Sequence, residues 1–299
     1  MEGRCDADFL PPLHEVNFAD LDSATSEESF VREGFELLKE SSVLLTAVAG
    51  LRGEAHAAGL HRDHAIVVGH YARMIKLMKS LIRQVSDGHG GDQQIAINRE
   101  YLDSVSTVMY LLADSADGTR FTAYVMDSLI AEREILKEVR EQIALRGDAV
   151  LPIEERINRS IAETLAAAGV REEEIPSRRS NGWPGAKVRI ELLGPVAYTA
   201  YRAGSGAVHG TFADIYKNHL DETPGGFEIE LRPQPFRPQP LLSMGLLGLL
   251  TLGEYSTKFL DTNLPEALAS RGRALVALLR RVDEAHERFL TERGTSTRQ

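Results

Sequence analysis

In residues 198–220, YTAYRAGSGAVHGTFADIYKNHL, an arginine, a serine and a histidine stand close together: Arg202, Ser205 and His209. A guanidinium is a permanent cation that matches phosphate oxygens, and an imidazole carries a proton near neutral pH. Cleavage of an RNA phosphodiester without a metal asks for those two groups. The histidine moves the proton of a ribose 2′-hydroxyl and the arginine holds charge at the phosphate. Ser205 would orient one or the other. These three are the candidate catalytic residues, and their chemistry calls for no cofactor and no metal.

Their placement depends on how the segment folds. Arg202 and His209 are seven residues apart, so an unbroken helix stacks them on one face. Gly204 and Gly206 flank Ser205, and each costs a helix interior about 1 kcal/mol relative to alanine. That cost favours a break with Ser205 as a new N-cap and His209 in the first turn of a helix running towards His219. A structural reading competes with the catalytic one. In it the two glycines admit a neighbouring helix, Tyr198, Tyr201 and Phe212 fill core, and His209 donates to a buried carbonyl.

Composition narrows the setting. The 299 residues are 43% hydrophobic with a formal charge of -10, so the chain supports a core and opposes broad nucleic-acid or anionic-membrane binding. RNA would have to be met by a local basic groove, for which Arg73, Lys76, Lys79 and Arg83 on one helix face are candidates. A single cysteine, Cys5, forms no internal disulfide and no paired-cysteine zinc motif, which points to the cytoplasm. Residues 1–16 lack the basic start and apolar run of a targeting peptide. The most apolar run, 240–253, is shorter than the roughly 20 residues that span a bilayer, so no membrane is expected. His61, His64 and His70 lack acidic or sulfur ligands at metal spacing and read as surface histidines.

The elements that must position the site are helices. Residues 1–24 have no period and read as an extended or partly disordered arm, ahead of a single helical domain at 25–293 and a tail at 294–299. Apolar residues at three-four spacing predict a long helix from about Glu27, kinked near Ser41 and Ser42, then one capped by Asp63. A helix hairpin follows, with Arg99 and Asp103 four apart as an inward ion pair. Residues 152–170 form a smaller helix before a loop anchored by Trp183, and 227–231 is the one candidate strand or strap. The repeated RPQP reads as a stiff connector. Two C-terminal helices lie in 240–293, the last long enough to pair two protomers into a homodimer.

The order of Arg99 and its acid, the run to MYLLADS, then WPGAKVRIELLG and YTAYRAGSGAVHG resembles a widespread, mostly bacterial helical family, domain of unknown function family 5677. The likeness covers about 60–220. That family's closing tyrosine, arginine, serine and histidine fall here on Tyr201, Arg202, Ser205 and His209, and no reaction comes with it. More distantly, Arg202 and His209 resemble the arginine and histidine of the HEPN superfamily, whose active members are metal-independent ribonucleases. Their spacing stands at that superfamily's upper limit, and Ala203 replaces the usual polar residue after the arginine. The expected fold is all-α, a multi-helix bundle with at most one short edge strand. Two functions are expected: a bundle acting through partner or self association in defence or stress response, or a HEPN-like ribonuclease.

Overall fold

The computed structural model describes residues 10–51, 59–114, 118–260 and 264–296. Cys5, the far end of the expected first helix and most of the ADG turn lie outside the described residues. Eleven α-helices, two single-turn 3-10 helices and one two-stranded sheet account for the described elements, a largely helical chain as the helical periodicity predicts. No helix among them is long and apolar enough to cross a membrane.

Contacts divide the chain into two compact units, 1–112 with 186–299, and 113–185. In the first, α2 (Glu28–Gly50) is the central post, packed by α3 (Arg62–Asp87), α10 (Pro238–Lys258) and α11 (Glu266–Ser296). Its stripe of Phe30, Leu37, Leu38, Leu44, Leu45 and Val48 is buried, which three-four spacing of large apolar residues requires. The helix runs unbroken through Ser41 and Ser42, where a kink is expected from sequence. Buried Ser41 instead bonds its hydroxyl to the Leu37 carbonyl at 2.8 Å, satisfying the group without opening the turn.

Small residues set the close crossing of α2 and α10. A Cβ added at Gly34 would lie 3.3 Å from Leu241 Cβ, and one at Gly245 would lie 3.2 Å from Ser41 Oγ and from both Leu279 methyls. The described part of the N-terminal arm begins at Leu10. It carries α1 (Phe18–Asp22) and is fastened by His14 to buried Glu33 at 2.6 Å and by Arg271, which bonds both Glu40 and the Pro11 carbonyl. The RPQP connector packs against the turn before α4 (Gln94–Ala113): the Arg237 amide donates to buried Gln94 at 3.1 Å, and a Cβ on Gly91 would strike the Gln234 carbonyl.

The expected strand is β2 (Gly226–Ile229), paired antiparallel with β1 (Leu220–Thr223) around Pro224 and Gly225. Periodicity missed β1, because LDET does not alternate cleanly and follows a helix. In the second unit, α5 (Thr119–Leu145) and α6 (Pro152–Ala168) enclose Leu129, Ile130 and Ile175. Trp183 anchors the following loop against Tyr124 with ring centres 5.2 Å apart.

The fully buried Tyr101 hydroxyl of α4 donates to the Met244 carbonyl of α10 at 2.7 Å, and it occupies the space a Cβ on Gly248 would need. Gly248→Ala therefore gains about 1 kcal/mol of helix propensity but overpacks a buried hydroxyl, a net loss of about 1 to 2 kcal/mol. Tyr101→Phe alone costs about 1 kcal/mol. Because the phenylalanine removes the clashing oxygen, the double variant should be more stable than the two losses added, read by urea unfolding followed in the helical circular dichroism.

Candidate functional site

Arg202, Ser205 and His209 all lie on α8 (Ala197–His209), which is continuous. The break expected at Gly204 and Gly206 does not occur. The helix ends at Gly210, in the left-handed conformation with φ 57°, and α9 (Phe212–Asn218) starts afresh after Thr211. Ser205 is accordingly no N-cap, and His209 closes a helix rather than opening one.

Close packing explains why the glycine is tolerated. A Cβ on Gly204 would lie 2.6 Å from Arg99 Cβ and 3.0 Å from the Ile95 carbonyl, so α8 crosses α4 backbone to side chain at this point. The propensity lost at glycine is offset by the approach it permits. Of the structural reading, the admission of a neighbouring helix holds at Gly204.

Arg99 fills that crossing and is only 21% exposed. Its guanidinium pairs with Asp103 at 3.1 Å, donates to the Tyr201 hydroxyl at 2.8 Å and to Ser205 Oγ at 3.3 Å, and lies 4.7 Å from the Tyr201 ring centre. Burial, with the Asp103 carboxylate beside it, raises the Tyr201 phenol above its ordinary value. Ser205 also donates to the Tyr201 carbonyl at 3.1 Å. Its hydroxyl is thus engaged with Arg99 and the helix itself, and no hydrogen bond joins it to His209.

The other face of α8 is different. Arg202 and His209 are exposed and, two turns apart, open onto one cleft of about 560 Å³. Ile95, Ser205, Thr211, Asp214 and Lys217 also line it. Neither Arg202 nor His209 has a hydrogen-bond or ion-pair partner among the described residues, whereas Asp214 accepts from Asn218 at 2.8 Å and lies 3.8 Å from His219. Lys217 and Asp214 escaped the sequence reading because they belong to α9, whose start depends on a break that glycine content misplaced by several residues. The contacts of Arg99 with Tyr201 and Ser205 join residues about a hundred positions apart, and only the Arg99 to Asp103 spacing hinted at an inward arginine.

The profile of a family of unknown function, DUF5677, matches residues 64–227, more than half the chain and all of α8. The chain belongs to this family. No curated protein and no solved structure matches it. The DUF5677 segment also holds α3, whose basic face is partly spent: Arg73 donates to Ser104 Oγ at 2.6 Å and pairs with Glu100, and Arg83 faces Asp87 at 3.7 Å. Nor are the DUF5677 histidines all at the surface. His64 is buried with Nε2 2.8 Å from the Tyr255 hydroxyl.

His70 of α3 is mostly buried, and that burial, with Arg73 and then Arg189 nearby, lowers its pKa from 6.5 to about 4. The folded value lies below the unfolded one, so between those two pH values the unfolded chain binds the extra proton. Stability should therefore fall as pH drops through this window, by up to about 3 kcal/mol. His70→Gln removes the titrating group, and urea midpoints measured across the window should lose that part of their slope.

Proposed function

We propose that the face of α8 bearing Arg202 and His209 is a metal-independent RNA-cleaving site. The supporting observation is that both side chains share an open cleft with Lys217 while holding no partner among the described residues. A structural arginine and histidine would be paired inward, as Arg99 and His64 are.

In this reading His209 takes the proton of a ribose 2′-hydroxyl and the 2′-oxygen bonds to phosphorus. The bond from phosphorus to the 5′-oxygen breaks, that oxygen takes a proton from water, and the hydroxide so formed recovers the proton held by His209, leaving a 2′,3′-cyclic phosphate and a 5′-hydroxyl end. Arg202 holds the non-bridging oxygens, and Lys217 adds a second positive charge. Ser205 acts one step back, through its bond to Arg99, by fixing the rotation of α8. The spacing of Arg202 and His209 is the HEPN-like feature, and a cytoplasmic role in defence or stress response suits an enzyme that acts on RNA. Purified full-length chain, incubated with several single-stranded RNAs in chelator, should release cyclic-phosphate ends. His209→Ala and Arg202→Ala should each slow release about a hundredfold with unfolding midpoints unchanged. No cleavage of any RNA by the wild type, or undiminished rates in either variant, would refute the site.

Self-association is a second reading, and a separate surface favours it. The face of α9 turned from the cleft stacks Phe212 on Tyr216 at 6.0 Å, and Tyr216 meets Phe227 of β2 edge-on at the same distance. Around them Phe212, Ile229 and Leu231 are 73%, 75% and 87% exposed. Apolar surface of this kind is covered in many proteins by a partner, here a second copy that would bring two clefts near each other. Light scattering should give a dimer mass that Phe212→Ser with Ile229→Ser reduces to the monomer; a monomer at all concentrations in the wild type would remove this reading.

A further inference from the structure

A second cavity, of about 570 Å³, lies in the same unit between the C-terminal ends of α2 and α10 and the first half of α11. Its walls are aliphatic, formed by Leu44, Val48, Leu249, Leu268 and Val276 among others. The charged side chains among its described lining residues are Arg273 and Arg280, both positive and two helical turns apart on α11.

The lining hydroxyls are already used. Ser256 and Thr257 both donate back to the Gly253 carbonyl, at 3.0 and 2.9 Å. Arg273 shares its charge with exposed Glu266, while Arg280 has no ion pair or hydrogen bond among the described residues. The polar groups left for a ligand are therefore cationic, and the walls take only hydrocarbon. Gly253 marks one edge of the cavity. It sits inside α10, where glycine is unfavourable, yet a Cβ there would meet nothing within 4 Å. No packing contact explains the missing side chain, which leaves room at that edge of the cavity.

We propose that this cavity binds a single-chain anionic amphiphile, an aliphatic tail lying against the leucines and a carboxylate held by Arg280 with help from Arg273. Its volume is within the usual range of small-molecule sites, about 300 to 1,000 Å³. Both arginines are exposed at the mouth of the cavity, so neutral lipids would gain nothing from them and cationic ones would be repelled by both. The site is separate from the α8 cleft and does not rest on RNA cleavage.

Isothermal titration calorimetry on the full chain tests it, with sodium dodecanoate below its micelle concentration and dodecyltrimethylammonium as the opposite charge on the same tail. Dodecanoate should bind at one site, about tenfold or more tighter than the cation. Each methylene removed from the acid should weaken binding about fourfold. Arg280→Glu should weaken dodecanoate about tenfold without lowering the thermal midpoint, and Gly253→Leu should weaken binding by filling the space. If Gly253→Leu does not fold, the Arg280→Glu comparison decides alone. Absence of saturable dodecanoate binding, equal affinity for the two charges, or unchanged affinity in Arg280→Glu would overturn the proposal.

Discussion

One guanidinium, that of Arg99, determines how α8 meets α4. It is mostly buried, so each of its donors has to be met or the desolvated charge would be costly. Asp103 supplies the counter-charge, and Tyr201 and Ser205 accept from the remaining edge and shoulder. Those two residues lie four apart on α8, so satisfying Arg99 fixes the rotation of that helix about its own axis. Gly204, between them, brings the helix near enough for the bonds to form. Once the inner face is committed, Arg202 and His209 are left on the outer face. Packing, more than any property of the two residues themselves, places them towards solvent.

The same kind of pairing bears on how an acidic chain of charge -10 hosts a cleft with two exposed cations, Arg202 and Lys217. Near the site two carboxylates are paired with cations, Asp103 with Arg99 and Glu100 with Arg73, while Asp214 accepts a hydrogen bond from Asn218. Under the proposed function, a phosphate entering the cleft would meet Arg202 and Lys217 at short range, with Asp214 the one acid among the described residues lining the same cleft and the more distant acids acting through salt-screened solvent. Local arrangement outweighs net charge over distances of a few ångströms.

Helical period makes most of the scaffold legible in the sequence, because burying one stripe per helix leaves a repeat that survives any detail of packing. What the period cannot carry is the cost of a residue weighed against a distant partner. Gly204 looks like a helix breaker until Arg99, a hundred residues earlier in the chain, is seen to need its missing side chain. Ser41 and Ser42 look like a kink, and the reason none forms is a different, local one: the Ser41 hydroxyl bonds the carbonyl one turn back and leaves the helix whole. His64 looks like a surface residue because its partner, Tyr255, is 191 positions away. In the site, Arg202 and His209 are legible as a pair from their spacing, whereas Lys217 requires knowing that α8 ends at Gly210. The short strand β1 leaves no signal, since four residues alternate too briefly to stand out from the helix that precedes them.

The central claim is that a phosphodiester seats between Arg202 and His209. The most direct test follows the His209 imidazole by NMR while RNA is added whose reacting 2′-hydroxyl is replaced by hydrogen, so that it binds and is not cleaved. A saturable shift of the His209 ring resonance, weakened in Arg202→Ala and kept in a Phe212→Ser variant, is the predicted result. An unmoved His209 resonance, with RNA bound elsewhere or not at all, would contradict it.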